Sequence, residues 1–381
     1  MTAKRRLGGA IALLLGTVFA ASGSAAQNGS GDYRPSASTD EGGLWMLSDE
    51  AEKRVQRSPL LVQDDALNTY IRNLVCEVAG PDCGAIRVYI LDLPYFNANM
   101  APNGAMQVWT GLLVRSANEA QLALVLAHEI AHYRRKHTLN RYQSTRDTAN
   151  ALTFLSLATG GLVGGVASLV AAGSVSAYSR DQEREADAQG FDTIVAMGYD
   201  PKAGAEIWRQ LIVERDADPG KSEPDAFLAS HPATDERMET MRRRAAEMEG
   251  RKTEWKDGRQ PFLAAIKPYR AQWLDAELNR GRLAESRVLV DRLLAGEPDS
   301  GLLRYYKAEV LRRQNENSAA LSAYRNAIAG VEPPAAAHRG LGLAALKTDD
   351  RETAREAFTA YLERAPDADD RAMIEFYLAG L

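Results

Sequence analysis

The residues of this chain best suited to chemistry are His128-Glu129-Ile130-Ala131-His132, an HExxH motif. On a helix two imidazoles at i and i+4 lie one above the other on one face, so both can reach a single zinc ion, and Glu129 sits beside them to act on the attacking water. The chain has five histidines in all. Three of them cluster at 128, 132 and 137, which argues against a chance pattern. A catalytic zinc needs a third protein ligand and one open position. The metzincin spacing would put that ligand at 138, where Thr138 stands; His137 misses by one and reads as a solvated residue at a helix C-terminus. Downstream, Ser179-Arg180-Asp181-Gln182-Glu183-Arg184-Glu185-Ala186-Asp187 opens a second helix. Glu183 can ligate zinc, while Asp187, one turn on, accepts a hydrogen bond from the other nitrogen of a ligating imidazole, His128 for preference. Glu185 competes as ligand but faces another way, and the bland alternative is a charged face that pairs with Arg180 and Arg184.

The elements that must position these groups are legible in the periodicity. Ser116 and Glu119 form a capping box before ANEAQLALVLAHEIAHYRRKH, which predicts one long helix. The second helix is expected over about 178–197, ended by Gly198 and Pro201, with further helices at 202–215 and 234–249. Upstream, helical spacing runs from Asp49 to about Ala79; Ile86 to Leu91 alternates as a strand does, and Met106-Gln107-Val108-Trp109-Thr110 reads as another strand. Cys76 and Cys83 flank a Gly80-Pro81 turn signal, and a local disulfide is expected over two free thiols or a metal site.

Composition bounds the setting. The chain has 381 residues and 46 Lys+Arg against 51 Asp+Glu, with no basic block, so it carries no electrostatic footprint for nucleic acid. Residues 1–26 have the three-part pattern of a secretory signal peptide, with Lys4, Arg5 and Arg6, an apolar run and Ser24-Ala25-Ala26; no Cys lies nearby for a lipid anchor. Residues 27–43 read as a flexible leader, 44–250 as a catalytic domain and 251–261 as a charged linker. From 262 to 381 the chain repeats every 34 residues: Leu274, Ala308 and Gly342 are in phase, as are Ser286, Ala320 and Ala354, then Val290, Tyr324 and Phe358. That pattern resembles tetratricopeptide (TPR) repeats, with units at 267–300, 301–334 and 335–368 and a capping helix at 369–381. Between Thr148 and Ser179 no residue is charged. Because His132 and Glu183 flank this stretch and must meet at one metal, a single membrane crossing is excluded, leaving a hairpin over 151–177 packed on the core or in contact with a membrane surface.

HEIAH, the Glu183/Asp187 pair, and Ser230-His231-Pro232 followed by Arg237 together resemble the gluzincin superfamily of HtpX, the CAAX prenyl proteases and the periplasmic BepA-type metalloproteases. The resemblance spans nearly the whole chain after the signal peptide. It implies an α+β, mostly helical zincin-type domain with a small sheet, followed by an α-solenoid of TPR repeats. It makes His128, His132 and Glu183 the ligands of one Zn2+ per chain and Glu129 the catalytic base. It also implies that His231 can approach the metal, that Arg237 and Asp187 support the site, and that Met106, Gln107, Val108 and Trp109 form an exposed sheet edge that pairs with extended peptides. The expected activity is a zinc metalloendopeptidase of a Gram-negative periplasm, acting on unfolded or misassembled envelope or outer-membrane proteins, with the outer-membrane assembly machinery as partner of the TPR domain. The alternative is a chaperone-like assembly factor whose zinc site His231 holds shut.

Overall fold

The structure, a computed structural model, describes residues 33–145, 177–218, 226–232, 235–252 and 254–381. The expected signal peptide at 1–26 and most of the apolar stretch at 151–177 lie outside them. Helix α1 (Asp40–Gln56) is capped by the Thr39 side chain, which accepts from the Gly42 N–H at 3.0 Å. It therefore starts inside the stretch expected to be a mobile leader. Tyr33 meets Trp45 edge-on and Arg34 pairs with Asp49 at 2.6 Å, so the polar composition of 33–43 is that of a capped helix start with surface ion pairs. Helix α2 (Asp65–Ala79) comes next, capped by Asp64. Cys76 in α2 and Cys83 in the 3-10 turn Gly80–Ala85 are joined by a disulfide, with Cα atoms 4.6 Å apart.

Three strands, β1 (Arg87–Leu91), β2 (Ala98–Met100) and β3 (Ala105–Trp109), form a sheet in the order β1-β3-β2. β1 runs parallel to β3 and β2 antiparallel to it. Then come α3 (Thr110–Arg115), α4 (Glu119–Arg134) and α5 (His137–Thr145). The single helix expected to run to His137 stops at Arg134, and a separate helix starts at His137. The cap of α4 is Asn118, whose side chain accepts from the Gln121 N–H at 3.0 Å, while Ser116 instead bonds back to the Leu112 carbonyl. The break is at Lys136, held at a left-handed φ of 50°. Helices α6 (Arg180–Ala196), α7 (Ala203–Asp216), α8 (Ala226–Ser230) and α9 (Asp235–Glu247) complete the first part.

The second part is helical: α10 (Arg259–Ile266), then the pairs α11 (Arg270–Asn279)/α12 (Leu283–Gly296), α13 (Gly301–Arg313)/α14 (Asn317–Ile328) and α15 (Ala336–Lys347)/α16 (Arg351–Arg364), and finally α17 (Arg371–Ala379). The in-phase residues of the 34-residue repeat are what these helices bury against one another. Ser286, Ala320 and Ala354 are inaccessible, and Tyr324 and Phe358 fill the crossings four residues later. Gly342 has to be small, because a Cβ there would lie 2.5 Å from the Phe358 ring. Among the described residues no helix is long and apolar enough to cross a membrane.

Among its described residues, the charged stretch 251–261 is knitted to the first part. Lys256 exchanges main-chain hydrogen bonds with Gly198 and Asp200, and the Asp257 carbonyl accepts from the Ala120 N–H at the head of α4. One apolar core runs from α2 and the sheet through α4 into the solenoid. Arg115 of α3, itself 1% exposed, donates to Glu214 of α7 and to Glu277 of α11, both at 2.8 Å. Arg292 and Arg280 complete those carboxylates. Burial pushes the Glu277 carboxyl up, but Arg115 and Arg280 outweigh it and hold it below its ordinary range. A buried pair stripped of one member leaves an uncompensated charge. Arg115→Leu is therefore expected to lower the unfolding free energy by about 3–5 kcal/mol, measured by urea denaturation of the full chain; an unchanged midpoint would remove this network as the joint of the two parts.

Candidate metal centre

Helix α4 is buried on every side from Ala120 to His132. A helix apolar all round occupies the middle of a domain, so its two histidines and its glutamate are carried into the interior with it. Helix α6 crosses α4 at this point. Its start is set by Ser179, whose side chain and Gln182 form a complete capping box, and this start turns Glu183 and Asp187 toward α4. The approach is close because residue 190 is glycine: a Cβ there would lie 3.3 Å from the main-chain nitrogen of His128.

Four side chains converge as a result. His128, His132, Glu183 and His231 are all buried and bring one ligand atom each within 4.8 Å of the others. His128 Nε2 lies 3.1 Å from His132 Nε2 and 3.6 Å from Glu183 Oε2, and His132 Nε2 lies 3.5 Å from Glu183 Oε1. A tetrahedral ion with bonds of about 2.0–2.2 Å needs ligand atoms roughly 3.3–3.6 Å apart; the two His–Glu separations fit that requirement, and the two imidazole nitrogens stand slightly closer together. Burial and the neighbouring histidines keep His132 well below its ordinary pKa, hence neutral, the state in which Nε2 offers a lone pair. Glu129 lies in the same pocket with Oε1 buried and without a hydrogen bond among the described residues. Burial pushes its carboxyl up to about 8, with Glu183 adding to the rise and His128 opposing it. A cation beside it would favour the carboxylate and satisfy the surplus of buried acceptors.

Arg237 of α9 ties the acidic residues together. Its Nε and Nη2 donate to the two oxygens of Asp187 at 2.7 Å each, its Nη1 lies 2.6 Å from Glu183 Oε2 and 3.1 Å from the Pro232 carbonyl, and its guanidinium covers the Trp208 ring at 4.5 Å. Burial would raise the Asp187 carboxyl, but Arg237 takes it down to about 2, and Asp187 Oδ1 stands 3.1 Å from His128 Nδ1. Glu183 is likewise held below its ordinary range, since His231 and Arg237 outweigh burial. The arrangement leaves His128 with a fixed carboxylate behind it, the support that metal-bound imidazoles commonly have.

His231 comes directly after the short α8 and fills the remaining corner. Its Nδ1 is 2.9 Å from Glu183 Oε1 and 3.2 Å from His128 Nε2; its Nε2 is 3.5 Å from Glu129 Oε1. Phe227 stacks on its ring and Trp208 stacks on Phe227, while Tyr178, stacked 3.9 Å from the His132 ring, donates its N–H to the Ser230 carbonyl. None of Phe227, Trp208 and Tyr178 has a sequence signal that would single it out.

Two expectations are corrected. His137 is not a solvated residue at a helix end: it is 3% exposed, because the left-handed turn at Lys136 folds its ring back onto His132. The strand Met106, Gln107, Val108 and Trp109 is not a sheet edge. It lies within β3, buried along its length and paired on both sides, since parallel pairing with β1 and antiparallel pairing with β2 use both of its flanks. The edge on that side is β2. Asn97 and Ala101 bond to β3, so alternation along an antiparallel strand turns the N–H and C=O of Ala98 and Met100 outward.

A buried HExxH helix crossed by a helix that brings a carboxylate as third ligand, beside a small mixed sheet, defines a zincin-type metallopeptidase domain. Residues 62–245 match Peptidase family M48. The chain is 26% identical over 239 residues to the beta-barrel assembly-enhancing protease of Escherichia coli K12, covering 58% of this chain and 48% of that protein, and 24% identical over 237 residues to the protein of the same name from Yersinia pestis, covering 57% and 48%. It is 31% identical over 153 residues to the mitochondrial metalloendopeptidase OMA1 of Schizosaccharomyces pombe, covering 40% and 44%. The chain thus spans less than half the length of these relatives.

Removing Arg237 would leave two buried carboxylates unpaired and free the Pro232 carbonyl. Arg237→Leu is expected to weaken zinc binding about 10- to 100-fold, the range typical of lost supporting partners, in competition with a chelating indicator. Wild-type affinity in this variant would mean that the guanidinium does not order the site.

Proposed function

We propose that the chain is a zinc-dependent metalloendopeptidase of the cell envelope. The single observation that carries this is the convergence of His128, His132 and Glu183 on one buried point, with Glu129 Oε1, which has no hydrogen bond among the described residues, beside them. In this reading a bound zinc supplies Lewis acidity and lowers the pKa of the attacking water. Glu129 takes that water's proton and later delivers it to the leaving amine. Arg237 and Asp187 keep Glu183 and His128 in register, and the outward main chain of Ala98 and Met100 is the edge along which an extended substrate would lie.

The cellular role is also proposed. The names of the bacterial relatives speak of beta-barrel assembly. With 1–26 read as a signal peptide, they support a periplasmic protein that acts on misassembled outer-membrane proteins and meets their assembly machinery through the solenoid, read as TPR repeats. Residues 151–177 could add contact with a membrane surface. A second reading, a binding module with a closed zinc site, is favoured by one feature: His231 already stands at the fourth corner.

Casein cleavage separates the two. Glu129→Gln is expected to bind zinc and melt as wild type does while losing hydrolysis, because it removes the base and leaves every ligand. His231→Ala is expected to raise cleavage of casein and of the chain itself at equal zinc occupancy. Undiminished turnover in Glu129→Gln would overturn the enzymatic reading; a rate at or below wild type in His231→Ala would reject the closed resting state.

A further inference from the structure

The mechanism leaves one buried histidine and one half-exposed glutamate without a role. His137 Nδ1 lies 2.9 Å from His132 Nδ1, and His137 Nε2 lies 3.2 Å from Glu185 Oε2. Glu185 is 50% exposed and also takes Arg135 at 3.1 Å, so it is anchored on the surface side while His137, at 3% exposure, faces inward. Proton placement along this line has one self-consistent solution for neutral rings. An imidazole whose Nε2 serves a cation carries its proton on Nδ1. His132 then donates from Nδ1 to the bare Nδ1 of His137, which leaves the His137 proton on Nε2, pointed at the Glu185 carboxylate. Each contact has one donor and one acceptor.

We infer that His137 and Glu185 are positioning residues that orient His132 and set its tautomer, the counterpart on this ligand of what Asp187 does for His128. The two ligands are supported differently. Asp187 is buried and reaches His128 directly, whereas the carboxylate behind His132 stands at the surface and acts through an interposed imidazole. The two acids of α6 that compete for the ligand role thereby divide the work: Glu183 faces the ion's position and Glu185, turned to the other side of the helix, backs the second histidine. Tyr178, stacked on His132, holds the ring plane, and the line through His137 holds its rotation about that plane.

The inference rests on the proposed metal site, and zinc affinity of the purified full chain tests it without reference to catalysis. His137→Leu, which fills the space without an acceptor, is expected to weaken zinc binding about 10- to 100-fold. His137→Asn, whose Oδ1 can stand where Nδ1 does, should recover most of that loss, and Glu185→Ala, a change at a half-exposed position that leaves the core intact, should lose affinity to a smaller degree. The double variant His137→Leu/Glu185→Ala should bind no more weakly than His137→Leu alone, since both act along one line. In the cobalt-substituted protein the visible absorption of His137→Leu should shift while that of His137→Asn stays near wild type. Equal zinc affinity in wild type and His137→Leu overturns the inference, as does an Asn variant as weak as the Leu variant, which would make His137 a packing residue. A wild-type chain that binds no zinc overturns the metal site itself.

Discussion

The structure around the site depends on one buried cation. Arg237 is 6% exposed and brings a full charge into the interior, which is tolerated only because two carboxylates, a carbonyl and an aromatic face surround it. Those partners come from α6, from the loop after α8 and from α7. The guanidinium therefore does two things at once: it keeps Glu183 and Asp187 ionised in a place where burial alone would neutralise them, and it draws three separate segments onto α4. A site assembled this way is held by charge satisfaction rather than by backbone continuity, which suits residues that lie far apart along the chain.

Packing then decides what charge cannot. Helix α4 is enclosed because it is apolar on all sides, and α6 lies directly on it because Gly190 presents no side chain. The stack Trp208, Phe227, His231 brings an imidazole to the fourth corner by ring contacts instead of by a helical frame. This is the less constrained side of the site: α8 is a five-residue turn of helix, whereas His128, His132 and Glu183 sit on helices of sixteen and seventeen residues.

The catalytic part and the solenoid are continuous in the same sense. Arg115 joins α3 to α7 and α11 through buried carboxylates, Lys256 and Asp257 bond to the chain before α7 and to the head of α4, and the apolar core does not stop at the boundary. Helix α4 thus has its N-terminus tied to the segment that leads into the solenoid and its C-terminal turns at the metal centre. Arg134, at its far end, bonds to Asp82 and to the Ala79 carbonyl in the turn that the Cys76–Cys83 disulfide closes.

By itself the sequence determined those relations that arise from spacing along one helix or one repeat. His128, Glu129 and His132 share a helical face by periodicity, the segment from Ser179 reads as the opening of α6, and the 34-residue phase of Ser286, Ala320 and Ala354 marks where helices touch. These are short-range relations, and local geometry carries them. Tertiary structure alone decided the rest. Residues 39–43, leader by composition, are the cap and first turn of α1, because a capping Thr and a loop of the same composition are indistinguishable until the helix is present. β3 could be called an edge only while its neighbours were unknown: the register that puts β1 and β2 on its two flanks is set by contacts between segments, not by alternation within one. His137 reads as a solvated helix end as long as helical periodicity runs through Lys136; one left-handed residue breaks the helix there and turns that side chain onto His132, a choice made by the backbone and by the buried space beside the ring.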